Sequence, residues 1–408
     1  MDYGAEYPNL TIDNCLSDIY NDVRKAKGTV FGMNILILSA NTGEGHNGAA
    51  RALYEEFRSR GVGCELVDAL SLCGEKTSDT ISSIYNSMIV KLPHLFGAIY
   101  RAGKIYSSIG IKSPVFIANS SQSDKLLNFI NENGFTAVVS THLFPMQTLT
   151  YLKRSGKINI PCYGVLTDYT LIPFFREVEL DMCFVPHADV LEECVREGMD
   201  RRRLAVTGIP VSSGFSSGID RAQARQLLSI ADDRKVYLIM TGGAGCTYAL
   251  PICNFLLSFN DPNAEIFVLT GKNKDLYNEI RREHRHDSRV HAVSFTDKVY
   301  LYMKASDVLI SKSGGITCTE AAAAQIPIVH VNAIPGCETK NAELFERNGM
   351  SVRATDPANA ADLAFSIAND NARSARMRKC EAECINPHAA SDIADAVMRK
   401  KRRKSKNA

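Results

Sequence analysis

The sequence predicts an α/β architecture of two lobes, each a parallel sheet covered by helices. Three observations lead there. Short apolar runs alternate with longer amphipathic segments along the chain, the pattern of strands buried on both faces by crossover helices. The rhythm stops at Gly208-Ile209-Pro210 and a Ser/Gly-rich stretch over 212–218, then restarts. A glycine-rich turn follows the first strand of each half, at Gly43 and again at Gly242. A chain of 408 residues also exceeds one comfortable core, and two lobes is the working count.

Residues 1–32 are polar and read as a leader. The first lobe spans 33–208, with strands expected at 34–39, 64–68, 137–140, 162–167, 182–185 and 204–207. The second spans 209–385, with strands at 236–240, 265–270, 290–293, 308–310 and 328–331. Residues 386–408 complete the chain as a helix passing into a basic tail, Arg399 to Lys404 and Lys406. That tail suits either a solvated, frayed end or attraction to an anionic membrane surface.

Composition narrows the function. Hydrophobic residues at 45% and charged residues at 23% fit a globular protein, and a net charge of +2 argues against nucleic acid as a partner. No apolar stretch is long enough to span a bilayer, and the acidic, polar N-terminus does not read as a secretory signal. The 12 cysteines lack any CxxC spacing, which predicts a reducing cytoplasm and no metal site. Cys380 and Cys384 share a helical face and fit ordinary packing.

The chemistry-bearing segments lie after strands. Residues 34–39 run into Asn41-Thr42-Gly43-Glu44-Gly45-His46-Asn47-Gly48 and then a helix-forming series. Glycines there let backbone amides approach a ligand at a helix N-terminus. His46, at the mouth of a sheet and near its unperturbed pKa, is suited to accept a hydroxyl proton. In the second lobe, Ser313-Gly314-Gly315-Ile316-Thr317-Cys318-Thr319-Glu320 follows a strand and opens an alanine-rich helix. Gly314 and Gly315 can present amides to a diphosphate, and Thr317 with Glu320 on one face can meet a ribose diol. A capping or helix-surface role for Glu320 fits the spacing equally. Glu338 and Asn341, in a polar loop before the next helix, have helical spacing suited to sugar hydroxyls. Gly242 and Gly243 would let the lobes close over a phosphate.

Together these segments resemble the monogalactosyldiacylglycerol synthase and processive diacylglycerol glucosyltransferase family, related to the peptidoglycan N-acetylglucosaminyltransferase. The likeness runs from about residue 34 to 385. It includes Ser140-Thr141-His142, Thr167-Asp168-Tyr169, Thr207-Gly208-Ile209-Pro210 and Thr270-Gly271-Lys272-Asn273. The resemblance implies a GT-B fold, UDP-glucose or UDP-galactose as co-substrate, no cofactor or bound metal, and inversion at the anomeric carbon. It makes His46 the candidate general base and Gly314, Gly315 and Thr317 diphosphate contacts. Glu320 becomes the ribose carboxylate, Glu338 and Asn341 the sugar contacts, and Phe295 part of the segment that reads uracil. Gly43, Gly45, His142, Asp168 and Tyr169 fall on the acceptor side. The chain departs from the Gly-Gly-Gly-His of many plant-type members, since Glu44 interrupts the turn. It also lacks tryptophan, so an aromatic membrane anchor must be Phe or Tyr.

Residues 81–110 carry Ile81, Ile84, Tyr85, Met88, Leu92, Phe96, Ile99 and Tyr100 at helical spacing, with Lys91, Arg101 and Lys104 beside them. The pattern fits a helix pair covering the core or an interfacial element. The family places its acceptor region in this lobe, which selects the interfacial reading with Tyr85, Phe96 and Tyr100 against lipid. The expectation is a peripheral enzyme on the inner face of the cell membrane, glycosylating diacylglycerol. A polyprenyl-linked acceptor, a UDP-sugar epimerase of the same fold and a non-catalytic sugar-nucleotide sensor are the alternatives.

Overall fold

The computed structural model describes residues 32–41, 43–73, 113–242, 248–331 and 335–404, with side chains as far as Arg399 in the last helix. Residues 1–31 and 81–110 lie outside this set, as do Tyr85, Phe96, Tyr100 and Gly243.

The first lobe holds β1 (Asn34–Ser39), β2 (Gly63–Asp68), β3 (Ala137–Ser140), β4 (Cys162–Val165), β5 (Met182–Val185) and β6 (Leu204–Val206). They form a parallel sheet in the order β2-β1-β3-β4-β5-β6. Its helices are α1 (Glu44–Ser59), α2 (Pro114–Ser120), α3 (Ser123–Glu132), α4 (Leu143–Arg154) and α5 (Ala188–Arg196). Alternation of side chains divides the apolar strand residues between two cores. Leu36, Leu38 and Val138 meet α3 and α4 on one face, while Ile35, Ile37 and Val139 meet Leu53 and Phe57 of α1 on the other. Leu53 and Phe57 are fully buried, worth about 1.5–3 kcal/mol each.

After α6 (Ser213–Ser216) and α7 (Arg221–Leu227), the second sheet comprises β7 (Lys235–Met240), β8 (Ala264–Gly271), β9 (Val290–Ser294), β10 (Val308–Ser311), β11 (Ile328–His330) and β12 (Ser351–Arg353). Its order is β12-β11-β10-β7-β8-β9, again parallel. The helices are α8 (Ala249–Ser258), α9 (Lys274–Glu283), α10 (Val299–Ala305), α11 (Gly315–Ala323), α12 (Cys337–Arg347), α13 (Pro357–Asn369) and α14 (Asn371–Cys384). Cys380 and Cys384 pack against the core of this lobe. Strand β12 has no counterpart in the sequence reading, because three residues at a sheet edge carry no periodicity to detect.

The final helix, α15 (Ala389–Lys404), returns to the first lobe. Ala390, Ile393, Ala394 and Val397 join the core of Met33, Ile35 and Phe57, and the Arg60 guanidinium donates to Asp395 at 2.5 Å and Ser391 Oγ at 2.7 Å. The helix continues through Lys404, so the basic residues 399–404 lie in its last turns.

Both sheets change direction next to a central strand. In the first, β2 and β3 flank β1; in the second, β8 and β10 flank β7. Open α/β sheets bind ligands outside the carboxyl ends of strands at such switch points. The turn carrying His46 follows β1, and the turns carrying Gly242 and Gly314 follow β7 and β10.

Candidate active site

His46 occupies the first turn of α1, whose N-cap, Gly43, offers no side-chain hydrogen bond. The imidazole Nδ1 lies 3.0 Å from the carbonyl oxygen of Thr141 and 2.8 Å from Thr167 Oγ1. A carbonyl only accepts, so Nδ1 carries the proton and donates it to Thr141. Thr141 returns the bond by donating its hydroxyl to the His46 carbonyl at 3.0 Å. The lone pair of the ring is therefore on Nε2, which has no hydrogen-bond partner among the described residues. Burial pushes the His46 pKa down to about 4, opposed only by the Thr141 bond, and the helix N-terminus disfavours imidazolium in the same sense. This corrects the expectation of a near-normal histidine: Thr141 and His142 from one segment and Thr167 from another enclose the ring. The base is neutral at physiological pH.

His142 has a different task from the acceptor contact expected of it. Its Nδ1 caps α4 by accepting from Phe144 N at 3.2 Å, and its ring meets that of His46 edge-on, centroids 4.5 Å apart. Burial, then the neighbouring His46, holds its pKa well below the usual value.

Beside His46 is a small cavity of about 10 Å³ within the first lobe. Leu143, Met146, Leu166, Ile172 and Phe175 supply apolar walls, and His46, Thr141, Thr167, Asp168 and Thr170 a polar rim. Burial raises the Asp168 pKa to about 6 against a hydrogen bond from Asn341. Sequence reasoning gave no role to Met146, whose signal is only that of a core residue. A larger cavity lies at the opposite end of the second sheet, around Lys235 and Asp307. Its charges are already engaged, with Arg221 and Arg225 both on Asp307, and it is remote from the glycine turns.

On the second lobe, α11 and α12 begin at glycine N-caps, Gly314 and Gly336, without side-chain caps. By contrast α7, α9, α13 and α14 are capped by Asp220, Asn273, Asp356 and Asp370. An uncapped helix start such as that of α11 suits an anion. Gly336 has φ 117°, a conformation that favours glycine and turns the chain into α12. Thr317 and Glu320 follow on α11. Glu320 lies too deep in the helix to cap it, and its carboxylate has no hydrogen-bond partner among the described residues. Burial lifts its pKa to about 7, with Arg51 opposing. Phe295 is 57% exposed, and the Lys272 ammonium sits 5.7 Å from its ring centroid.

The lobes meet closely. Gly45 and Gly48 of α1 pack on Ile316 of α11, and a side chain at Gly315 would collide with the Thr167 carbonyl. Lys272 donates to Glu44 at 3.0 Å across the cleft, which gives the residue interrupting the glycine turn a partner in the other lobe. Two expectations are corrected here. Tyr169 is buried in the core of the second lobe, its hydroxyl 2.8 Å from Thr319 Oγ1, and does not line the acceptor cavity. Asn341 is fully buried, bonded to Tyr169 N, Asp168 and the Ser313 carbonyl; it is not presented to a sugar. Glu338 and Asn341 stand within α12 and not in a loop before it. Glu338 is half-buried in its first turn, where its carbonyl accepts from Ser313 Oγ at 2.7 Å. Gly242 is exposed at the end of β7. Among the described residues no group of His, Cys, Asp and Glu is arranged to hold a metal ion, and no helix is long and apolar enough to cross a membrane.

Known proteins share both the sequence and the architecture. The family described as Monogalactosyldiacylglycerol (MGDG) synthase matches residues 46–211, and the Glycosyltransferase family 28 C-terminal domain matches residues 239–395. A processive diacylglycerol beta-glucosyltransferase of Bacillus mycoides is 27% identical over 371 residues, covering 89% of this chain and 93% of that one. Among solved structures, Acinetobacter baumannii MurG superposes with a TM-score of 0.58 at 14% identity, over 90% of this chain and 99% of its own. A UDP-GlcNAc 2-epimerase from Neisseria meningitidis bound to UDP-GlcNAc gives a TM-score of 0.56 at 13% identity, over 90% and 100%. The two structural likenesses establish the shared GT-B fold, while the paired family matches follow the chain lobe by lobe. With a histidine in one lobe close to an uncapped helix start in the other, the chain has the GT-B fold, its first lobe matching the monogalactosyldiacylglycerol synthase family and its second the glycosyltransferase family 28 C-terminal domain.

Proposed function

We propose that the protein transfers a hexose, glucose or galactose, from a UDP-sugar to the hydroxyl of diacylglycerol with inversion. The observation that carries this reading is the placement of the His46 ring: Nδ1 lies 3.0 Å from the Thr141 carbonyl, which favours the proton there and the lone pair on Nε2, and the residue borders a small cavity with apolar walls. A glycerol hydroxyl at the rim suits both features, with the half-buried Leu143 and Ile172 as the apolar surface beside it.

In the reaction the hydroxyl gives its proton to His46 Nε2 as its oxygen bonds to the anomeric carbon, and the bond from that carbon to the diphosphate breaks. Charge on departing UDP meets the free amides and dipole of α11, with Gly314 and Thr317 nearest, in place of a metal. Glu320 accepts from the ribose hydroxyls, Phe295 flanks the base, and Glu338, in the first turn of α12, is assigned to the sugar. The UDP-GlcNAc held by the Neisseria neighbour supports a uridine nucleotide in this fold. The names of the Bacillus relative and the matched family support diacylglycerol and these two hexoses. A peripheral position on the inner membrane face follows from the acceptor, with the basic end of α15 on the acceptor lobe drawn to anionic lipid.

The test presents the purified protein with liposomes containing diacylglycerol and a panel of labelled UDP-sugars. Formation of a hexosyl-diacylglycerol from UDP-glucose or UDP-galactose is expected. Transfer only to a polyprenyl-linked acceptor, or conversion of the UDP-sugar to its epimer without lipid, would replace this reading.

A further inference from the structure

We infer that Asn341 is a positioning residue: it clamps the 167–169 segment of the acceptor lobe onto the donor lobe, so that closure of the lobes orients His46. The inference rests on His46 as the base.

The Asn341 amide spends both its N–H groups, one on the Ser313 carbonyl of its own lobe and one on Asp168 Oδ1 of the other, each at 2.9 Å. Its oxygen accepts from Tyr169 N at 2.7 Å. With the side chain fully buried, no donor is left for a sugar hydroxyl. Two further contacts fix the same three residues. Gly315 admits the Thr167 carbonyl, and Tyr169 OH lies 2.8 Å from Thr319 Oγ1. Thr167 in turn holds its Oγ1 2.8 Å from His46 Nδ1. The donor lobe thus grips a tripeptide whose first residue touches the imidazole. When the lobes part, Asp168 and Tyr169 lose this side chain, and the hold on Thr167 loosens. The ring is then free to exchange its tautomer or turn, and the lone pair no longer faces the acceptor. Coupling of this kind would keep the base unarmed until the donor lobe has closed.

The test compares wild type with Asn341→Ala in steady-state transfer, in calorimetric binding of UDP and UDP-hexose, and in ¹⁵N spectra of the His46 ring with donor bound. The expected result is a kcat lower by about 10- to 100-fold, the cost of a misplaced catalytic group. Affinities for UDP and UDP-hexose stay unchanged, and the ring nitrogens move from a single Nδ1–H tautomer to an average. Thr167→Val should reproduce that averaging with Asn341 intact. If Ala prevents folding, Asn341→Gln retains the amide displaced by one methylene and is read the same way. Loss of the extra affinity for UDP-hexose over UDP would make Asn341 a sugar contact. A slowed enzyme with an unaltered tautomer signal would make it mere interlobe packing, and a wild-type rate would remove any role; each overturns the inference. Failure of the functional reading is separate: His46→Ala would then turn over normally, or the wild type would transfer no hexose.

Discussion

The Nδ1 of His46 stands 3.0 Å from the carbonyl oxygen of Thr141, and that contact decides which nitrogen is available for chemistry. Replacing His46 by Ala is expected to lower kcat by about 10² to 10⁴ fold, the range for loss of a general base. UDP binding, a property of the other lobe, should persist. Steady-state rates with calorimetry check both halves, and an undiminished rate would remove the base.

The pH dependence follows from burial. A base acts when deprotonated, so activity is lost as pH falls through its pKa, here about 4 and not 6.5. The acid limb of kcat/KM for the lipid, at saturating donor, is expected well below pH 6. Asp168→Asn, which removes the neighbouring carboxyl with a pKa near 6, is the background for the measurement. A limb centred at 6.5 there would show that the ring is solvated when it works.

Gly315 is expected to tolerate nothing larger than hydrogen. A Cβ at that position meets the Thr167 carbonyl and the Asp168 Cα, which are backbone and cannot swing aside, whereas one at Gly314 meets open space. Gly315→Ala should leave UDP binding intact while reducing kcat at least about tenfold, because the lobes stop short of their working distance. Gly314→Ala leaves the contact with Thr167 intact, so its effect should fall on UDP binding instead. Small-angle scattering would show the Gly315 variant expanded; equal rates in the two variants would mean that this contact is not part of the working enzyme.

Much of this arrangement is legible in the sequence, for physical reasons that also mark where legibility stops. Strand positions are readable because β1, β3, β5 and β7 are continuous apolar runs bounded by turns. The α/β rhythm therefore yields the two sheets. His46 stands out because a glycine turn after a first strand is a place for ligands. What local pattern does not carry is the identity of a residue's neighbour. Asn341 sits at helical spacing from Glu338, which marks a shared face, yet Asp168 and Tyr169 cover that face from the other lobe. The docking of α15 on the first lobe is likewise non-local, for its apolar stripe does not name the sheet it joins. The depressed His46 pKa is made by burial among segments remote in sequence, with the Thr141 bond opposing it.

Glu381 supplies a stability prediction. It is fully buried, neither carboxylate oxygen has a hydrogen-bond partner among the described residues, and burial pushes its pKa well above the usual range against the opposing Arg378. A group whose folded pKa is raised stabilises the fold most at low pH, and that stability is lost as pH rises through the folded value. Glu381→Met should raise the melting temperature, by the equivalent of about 1–3 kcal/mol for an unsatisfied buried group. The gain should be larger at pH 9 than at pH 6. Thermal melts at the two values check it, and a lower melting temperature at both would mean that the carboxyl is satisfied in solution.

Glu320 ties donor binding to proton release. Its carboxyl, lifted to about 7 by burial, is roughly half protonated at neutral pH. Ribose hydroxyls donating to the carboxylate favour the charged form, so the pKa falls when UDP binds. About half a proton should then leave per UDP bound at pH 7, fewer at pH 8.5, where the free protein is already ionised. Calorimetry in buffers of different ionisation enthalpy reads this number directly. Glu320→Gln should abolish the release and weaken UDP about tenfold or more, since a neutral amide accepts more weakly than a carboxylate. Proton release that survives in the Gln variant would assign it to another group and free Glu320 from the ribose.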